Sequence, residues 1–346
     1  MQQPDLFIIR QNDYFGFMDS RGELRIEPQY LELGPFHNGF APVRLNGQWV
    51  AMDTLGRLLL KKVYRQIGPF EEGLARVQPV QSWGYMDARG NEQIAPVFEE
   101  AHDFSEGLAA VKMAGQAGFI DPSGHFAIRP VFSGTGSFRQ GLAPACRAGQ
   151  WGYMDKSGTF VIDCQWDMAM PFQGEVAVVL RGERWGLCDR QGRERLAPQF
   201  SFVKNLVQGL FFDGMALVHR EGKYGFVDQT GHLAVEPMFD LAGDFGEGLA
   251  LVEINGAYGY IDKTGKLLIM PKFEDAGVFS DGLAQVRVNG KWGYIDTEGK
   301  ISIPPSFDAV QPFHGGLARV VLEGRWQYID RGGAVIWRET TRQVGR

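Results

Sequence analysis

The chain has 346 residues, 44% of them apolar, and a formal net charge of −6. That balance argues against nucleic acid or an anionic membrane as the main partner, because both call for clustered cations, and no run approaches the 18 apolar residues that would span a bilayer. Glycine is the outlier, with 46 residues, about 13% against a usual value near 7%; without a Gly-X-Y period, this excess points to many tight turns.

The first residues, MQQPDLFIIRQNDY, lack the long apolar run of a signal peptide. A soluble, cytoplasmic protein with reduced thiols is the expectation. The stretch LFII (6–9) reads as a first strand and leads to Asp19. From there the same aspartate returns at Asp53, Asp87, Asp121, Asp155 and Asp189, always 34 residues on. One interval of 39 follows, to Asp228, and the 34-residue spacing resumes at Asp262, Asp296 and Asp330. Ten copies thus keep one period, with units starting near 6, 40, 74, 108, 142, 176, 215, 249, 283 and 317. Three residues after each Asp stands Gly, and nine after it stands Pro in seven copies. A Phe recurs in nine links between copies, from Phe36 to Phe313.

The ninth copy shows how a unit reads. LAQVRV (283–288) is short and rich in branched residues, as strands are. Asn289-Gly290 signals a type I′ hairpin, whose two central residues need φ > 0. KWGYID (291–296) follows as a second strand, with Trp292 and Tyr294 on one face and Ile295 on the other. Apolar side chains on both faces predict cover on both. Asp296 then opens a turn in which its carboxylate accepts N–H groups two or three residues on, and Gly299 supplies the left-handed position. KISIP (300–304) is the third strand, ended by proline. No window keeps an i, i+3, i+4 apolar pattern, so almost no helix is expected. The segment 201–210, SFVKNLVQGL, breaks the period and is the only place where a short helix would fit. The chain closes just after AVIW (334–337), a third strand, and neither end carries a polar cap. The expected fold is all-β: ten 34-residue, three-stranded meanders in a curved, solenoid-like array, with a closed ring or propeller-like arrangement as the alternative.

The phrase G-x-W-G-Y-I-D-x-x-G, with G-L-A-x-V before it and I-x-P-x-F after it, resembles the WG-repeat (KWG-repeat) family of bacterial proteins over roughly residues 6–337. Three copies depart from it: the second reads Trp49-Val50-Ala51-Met52, the fourth has Ala117 for the aromatic, and the tenth has Gln327 for Gly. The resemblance implies a β-repeat interaction scaffold, found in conflict, secretion and envelope settings, and brings no catalytic residues.

The ten aspartates are expected to shape turns and not to bind metal, since D-x-x-G lacks the ligand density of a calcium loop. Trp83, Trp151, Trp185, Trp292 and Trp326 read as packing between units, or alternatively as a carbohydrate-stacking ladder. Cys146, Cys164 and Cys188 read as small apolar fillers. No metal or cofactor is expected. The reading is a non-enzymatic scaffold that binds another protein, with toxin neutralisation or effector handling as the more specific expectation. Candidate contact residues are Phe202, Lys204, Asn205, Leu206, Phe211 and Phe212 at the insertion, with Arg76, Arg319 and Arg325 as anchors. The alternatives are an envelope or glycan-binding module using exposed Trp and Tyr, and an enzyme with its site on the concave face.

Overall fold

Every residue of regular structure in the computed structural model lies in a β-strand; the structure describes residues 5–36, 39–201 and 211–340, except the side chains of 59–63. The described residues contain no helix. Among the described residues the strands form ten open antiparallel sheets, one for each copy of the period.

Repeat 9 shows how the sequence produces one sheet. Leu283–Val288 pairs with Lys291–Asp296 across Asn289-Gly290, whose φ values are 50° and 74°, the type I′ signature. Lys291–Asp296 then pairs with Ile301–Phe307, but unevenly: Trp292 faces Phe307 and Tyr294 faces Ile303, so two residues on one strand span four on the other. The extra residues arch over Gly293. A Cβ there would lie 2.5 Å from the Ile303 carbonyl oxygen and 2.6 Å from the Pro305 nitrogen. Only glycine admits that approach.

The link contributes more than the sequence suggested. In eight sheets it supplies a fourth strand ahead of the three-stranded meander. In repeat 9 this strand is Asp275–Ala276, paired with Arg287 and Val286. The reason is the backbone: the first strand would otherwise present a bare edge, and the link carries N–H and C=O groups that need partners. The first two sheets remain three-stranded. Among the described residues, Phe40–Leu45 receives a single bridge from the link before it, Leu33 to Val43.

Strand alternation sends Tyr294 to one neighbouring sheet and Ile295 to the other. Tyr294 joins a cluster with Phe313, Ala318, Val320 and Ile329, while Ile295 packs with Tyr260, Phe273 and Phe279. The Tyr294 ring meets the link Phe313 edge-on at 4.8 Å, and its hydroxyl donates to the Gln311 carbonyl at 2.7 Å. Tyr85, Tyr153 and Tyr260 make the equivalent bond, each 17 residues ahead. Among repeats 1–6, and again among repeats 7–10, each sheet thus shares a core with the next, as in other repeat architectures.

The chain divides into two compact units. The first comprises Met1–Ile8, Asp13–Phe17 and Leu24–Pro198; the second comprises Ile9–Asn12, Met18–Glu23 and Gln199–Arg346. Within the second, parts of the first repeat lie on the last. Arg10 Nε donates to Glu339 Oε1 at 2.8 Å, Gln11 donates to the Thr340 hydroxyl at 2.7 Å, and the Arg10 guanidinium sits 4.8 Å from the Trp326 ring.

Candidate interaction surface

The period's most regular polar residue is occupied by backbone. In all ten copies one carboxylate oxygen of the aspartate accepts N–H groups two and four residues on, as Asp296 does from Glu298 at 3.0 Å and Lys300 at 2.9 Å. The second donor comes from four residues on and not three. The residue three on is the glycine, whose own N–H bonds the aspartate carbonyl, as Gly299 does at 2.9 Å. Hydroxyls add to this in several copies. The Thr264 hydroxyl, helped by the N–H groups of Thr264 and Lys266, holds the Asp262 carboxyl below its ordinary value. Ser157 does the same for Asp155. Among the described residues, no group of three or more His, Cys, Asp or Glu side chains could hold a metal ion.

A second set of acids, which the sequence reading passed over, joins successive repeats. Glu72, Glu106, Asp213, Glu247 and Asp281 each precede a glycine in the link turn and adopt φ between 49° and 56°. Each carboxylate accepts the N–H of the equivalent glycine one repeat on: Glu106 from Gly141 at 2.9 Å, Asp281 from Gly316 at 2.8 Å. Lys156 and Lys263 cap two of them from further along the chain. The signal available in sequence was the acid-glycine pair of the link, which recurs in phase.

Phe202, Lys204, Asn205 and Leu206 lie outside the described residues. Phe211 and Phe212 form a two-residue strand against Ala216 and Met215 and are half-buried. Arg76 is held within its own unit: its Nε lies 2.9 Å from Asp103, a second nitrogen donates to the Ala101 carbonyl at 3.0 Å, and Trp83 lies beneath it. Arg319 stacks 3.9 Å from the Trp326 ring centroid, and Arg325 is exposed at a hairpin end. The indoles are packed. Trp185 is buried, while Trp83, Trp151, Trp292 and Trp326 are half-buried. Cys146 and Cys188 are buried and Cys164 partly so; all three are free thiols. Burial pushes the Cys188 thiol up to about 12, away from the range of reactive thiols.

Apolar side chains do reach solvent on the third strands. In Leu267–Phe273, Ile269 and Phe273 point inward, and Leu268 and Met270 stand 49% and 65% exposed. In the preceding repeat, Met238 on Leu233–Phe239 is 64% exposed.

No curated protein matches the chain. Among solved structures it is similar to a eukaryotic initiation factor, at 13% identity over 98% of this chain and 96% of that one, with a TM-score of 0.52. That likeness concerns fold alone, and such neighbours are β-propeller-like. BamB from Moraxella catarrhalis (11% identity, 100% and 97% covered, TM-score 0.37) and the dihydro-heme d1 dehydrogenase NirN (13%, 97% and 73%, 0.42) are more remote. The WG containing repeat matches nine times, over residues 15–49, 51–78, 83–116, 118–150, 151–185, 185–224, 224–256, 258–292 and 292–326. The phrase spelled by the ten sheets is therefore a family signature, and the chain belongs to the WG-repeat family.

Proposed function

We propose that this protein is a non-enzymatic scaffold that binds another protein through the outward faces of its third strands. The observation carrying this reading is the exposed set Met238, Leu268 and Met270, on adjacent repeats of one unit. Thioethers adapt to varied partner surfaces, and the strands behind them are fixed by shared cores. The repeated carboxylates, which an enzyme or cation site would use, are engaged with backbone N–H groups. Half-buried indoles covered by Arg76, Arg319 or Arg10 weigh against a sugar-stacking ladder. Toxin neutralisation or effector handling is the specific role we favour, by analogy with other soluble arrays of this family.

The test is a pull-down from the native host with three baits: wild type, M238S/M270S, and a chain lacking residues 201–210. The reading predicts that the double substitution removes a species captured by wild type while the thermal transition is unchanged. An identical capture profile from wild type and M238S/M270S contradicts it. Loss only on deleting 201–210 would move the contact to the insertion.

A further inference from the structure

Nine repeats place an aromatic side chain four residues before the turn aspartate, from Phe15 in the first to Trp326 in the tenth; the fourth places Ala117 there. Repeat 5 shows what the missing ring would do. Trp151 lies across the link residue Gly134, where an added Cβ would come within 3.0 Å of the indole. The equivalent link residue in repeat 4 is Glu100, and Ala117 offers no ring to cover it. A cavity of about 240 Å³ opens there instead. Its lining combines Ala117 with the Trp151 indole of the following repeat, and with Glu100, His102, Lys112 and Thr135.

We infer that this cavity takes a planar aromatic ring with a polar edge, presented by a binding partner in the place of the indole that repeat 4 lacks. Size permits it: a cavity of roughly 150 Å³ already takes up benzene. The chemistry favours an indole or phenol over an aliphatic chain. Ala117 is buried and supplies an apolar floor, and Trp151 offers a ring against which a second can pack edge-on or offset. Lys112 Nζ donates to Glu100 Oε1 at 2.8 Å. No hydrogen bond among the described residues reaches the other carboxylate oxygen, so Glu100, 61% exposed, can accept an indole N–H or a phenol O–H. The ring's source rests on the protein-binding reading; the site itself does not, because a free aromatic molecule can occupy it.

Fluorine NMR of fluoroindole and of N-acetyl-fluorotryptophanamide, each titrated with the full chain, tests this. Ala117→Trp should fill the cavity from within, as Trp does in other repeats, and weaken both probes by about tenfold, the loss of one good aromatic contact. Ala117→Leu is a milder plug, should the larger one impair folding, and should weaken them in the same direction. Probe binding lost together with a captured protein in the pull-down assigns the ring to that protein. Probe binding lost with capture unchanged assigns the site to a free small aromatic. No binding to wild type, or equal binding to wild type and both plugged variants, overturns the proposal, whatever the pull-down shows.

Discussion

Repeats 9 and 10 spell nearly the same second strand, KWGYID and RWQYID, yet build different sheets. In repeat 9, two residues of that strand span four of the next, and Pro305 rides over Gly293. In repeat 10, Gln327 replaces the glycine and the third strand pairs one-to-one at that point, Gln327 with Arg338 and Tyr328 with Trp337, before a shift at Ile329. The proline position is filled by Glu339, whose carboxylate accepts the Trp326 N–H at 2.9 Å and the Arg10 guanidinium. In repeat 10 the loss of the arch thus goes with a Cβ in place of the glycine, and the residue nine beyond the aspartate changes with it. Repeat 2 shares the sequence change, with Val50 for Gly and Lys62 for Pro, yet keeps a shift in register there, with Trp49 facing Tyr64 and Ala51 facing Leu59.

The strongest way to break that contrast is to import repeat 10's residue into repeat 9. Gly293→Gln should cost about 3 kcal/mol, because the new side chain meets backbone that cannot move aside cheaply. Urea unfolding reads this out. Adding Pro305→Glu should recover part of the loss, with a coupling of about 1 kcal/mol; strict additivity would mean that the two positions are independent. Acid tests the turns of many repeats together. Asp121, Asp155 and Asp262 are held below their ordinary values, chiefly by hydroxyl groups of Ser123, Ser157 and Thr264. Their contribution is complete above the ordinary carboxylate value of about 4 and is lost as pH falls through the lowered values. Thermal melts should therefore be level from about pH 7 to 5 and drop steeply below about 4. Asp296→Ala should cost about 1–2 kcal/mol by freeing two backbone donors, and the same change at Asp330 should cost as much if repeat 10 differs only in its third strand. Tyr294→Phe should cost about 1 kcal/mol, the bond to Gln311. The smallest effect sharpens the comparison: Gln327→Gly should cost no more than about 1 kcal/mol of backbone freedom, since no arch waits there to be relieved.

Much of this was legible in the residues. The period, the hairpin at Asn289-Gly290 and the turn at Asp296 follow from local chemistry that acts over four to six residues. Cover on both faces was readable from Tyr294 and Ile295. The fourth strand was not, because Asp275-Ala276 has no strand-like composition and pairs only to satisfy an edge created elsewhere. The acids of the link turn were missed because each acts on a glycine 35 residues away. Arg76 reads as an anchor in the sequence; its partner Asp103 lies 27 residues on, in the link that follows its sheet, beyond the reach of local pattern. Ala117 was visible as a departure from the phrase, but the cavity it leaves depends on Trp151 and Thr135, brought up by the neighbouring sheet.

That the recurring carboxylates form bends is tested most directly by amide hydrogen exchange in Asp296→Ala. The prediction is that the amides of Glu298 and Lys300 lose protection, while those of Thr264 and Lys266, in the intact turn one repeat earlier, keep theirs. Unchanged protection at Glu298 and Lys300 would show that the aspartate does not hold the turn, and would return these residues to the search for chemistry.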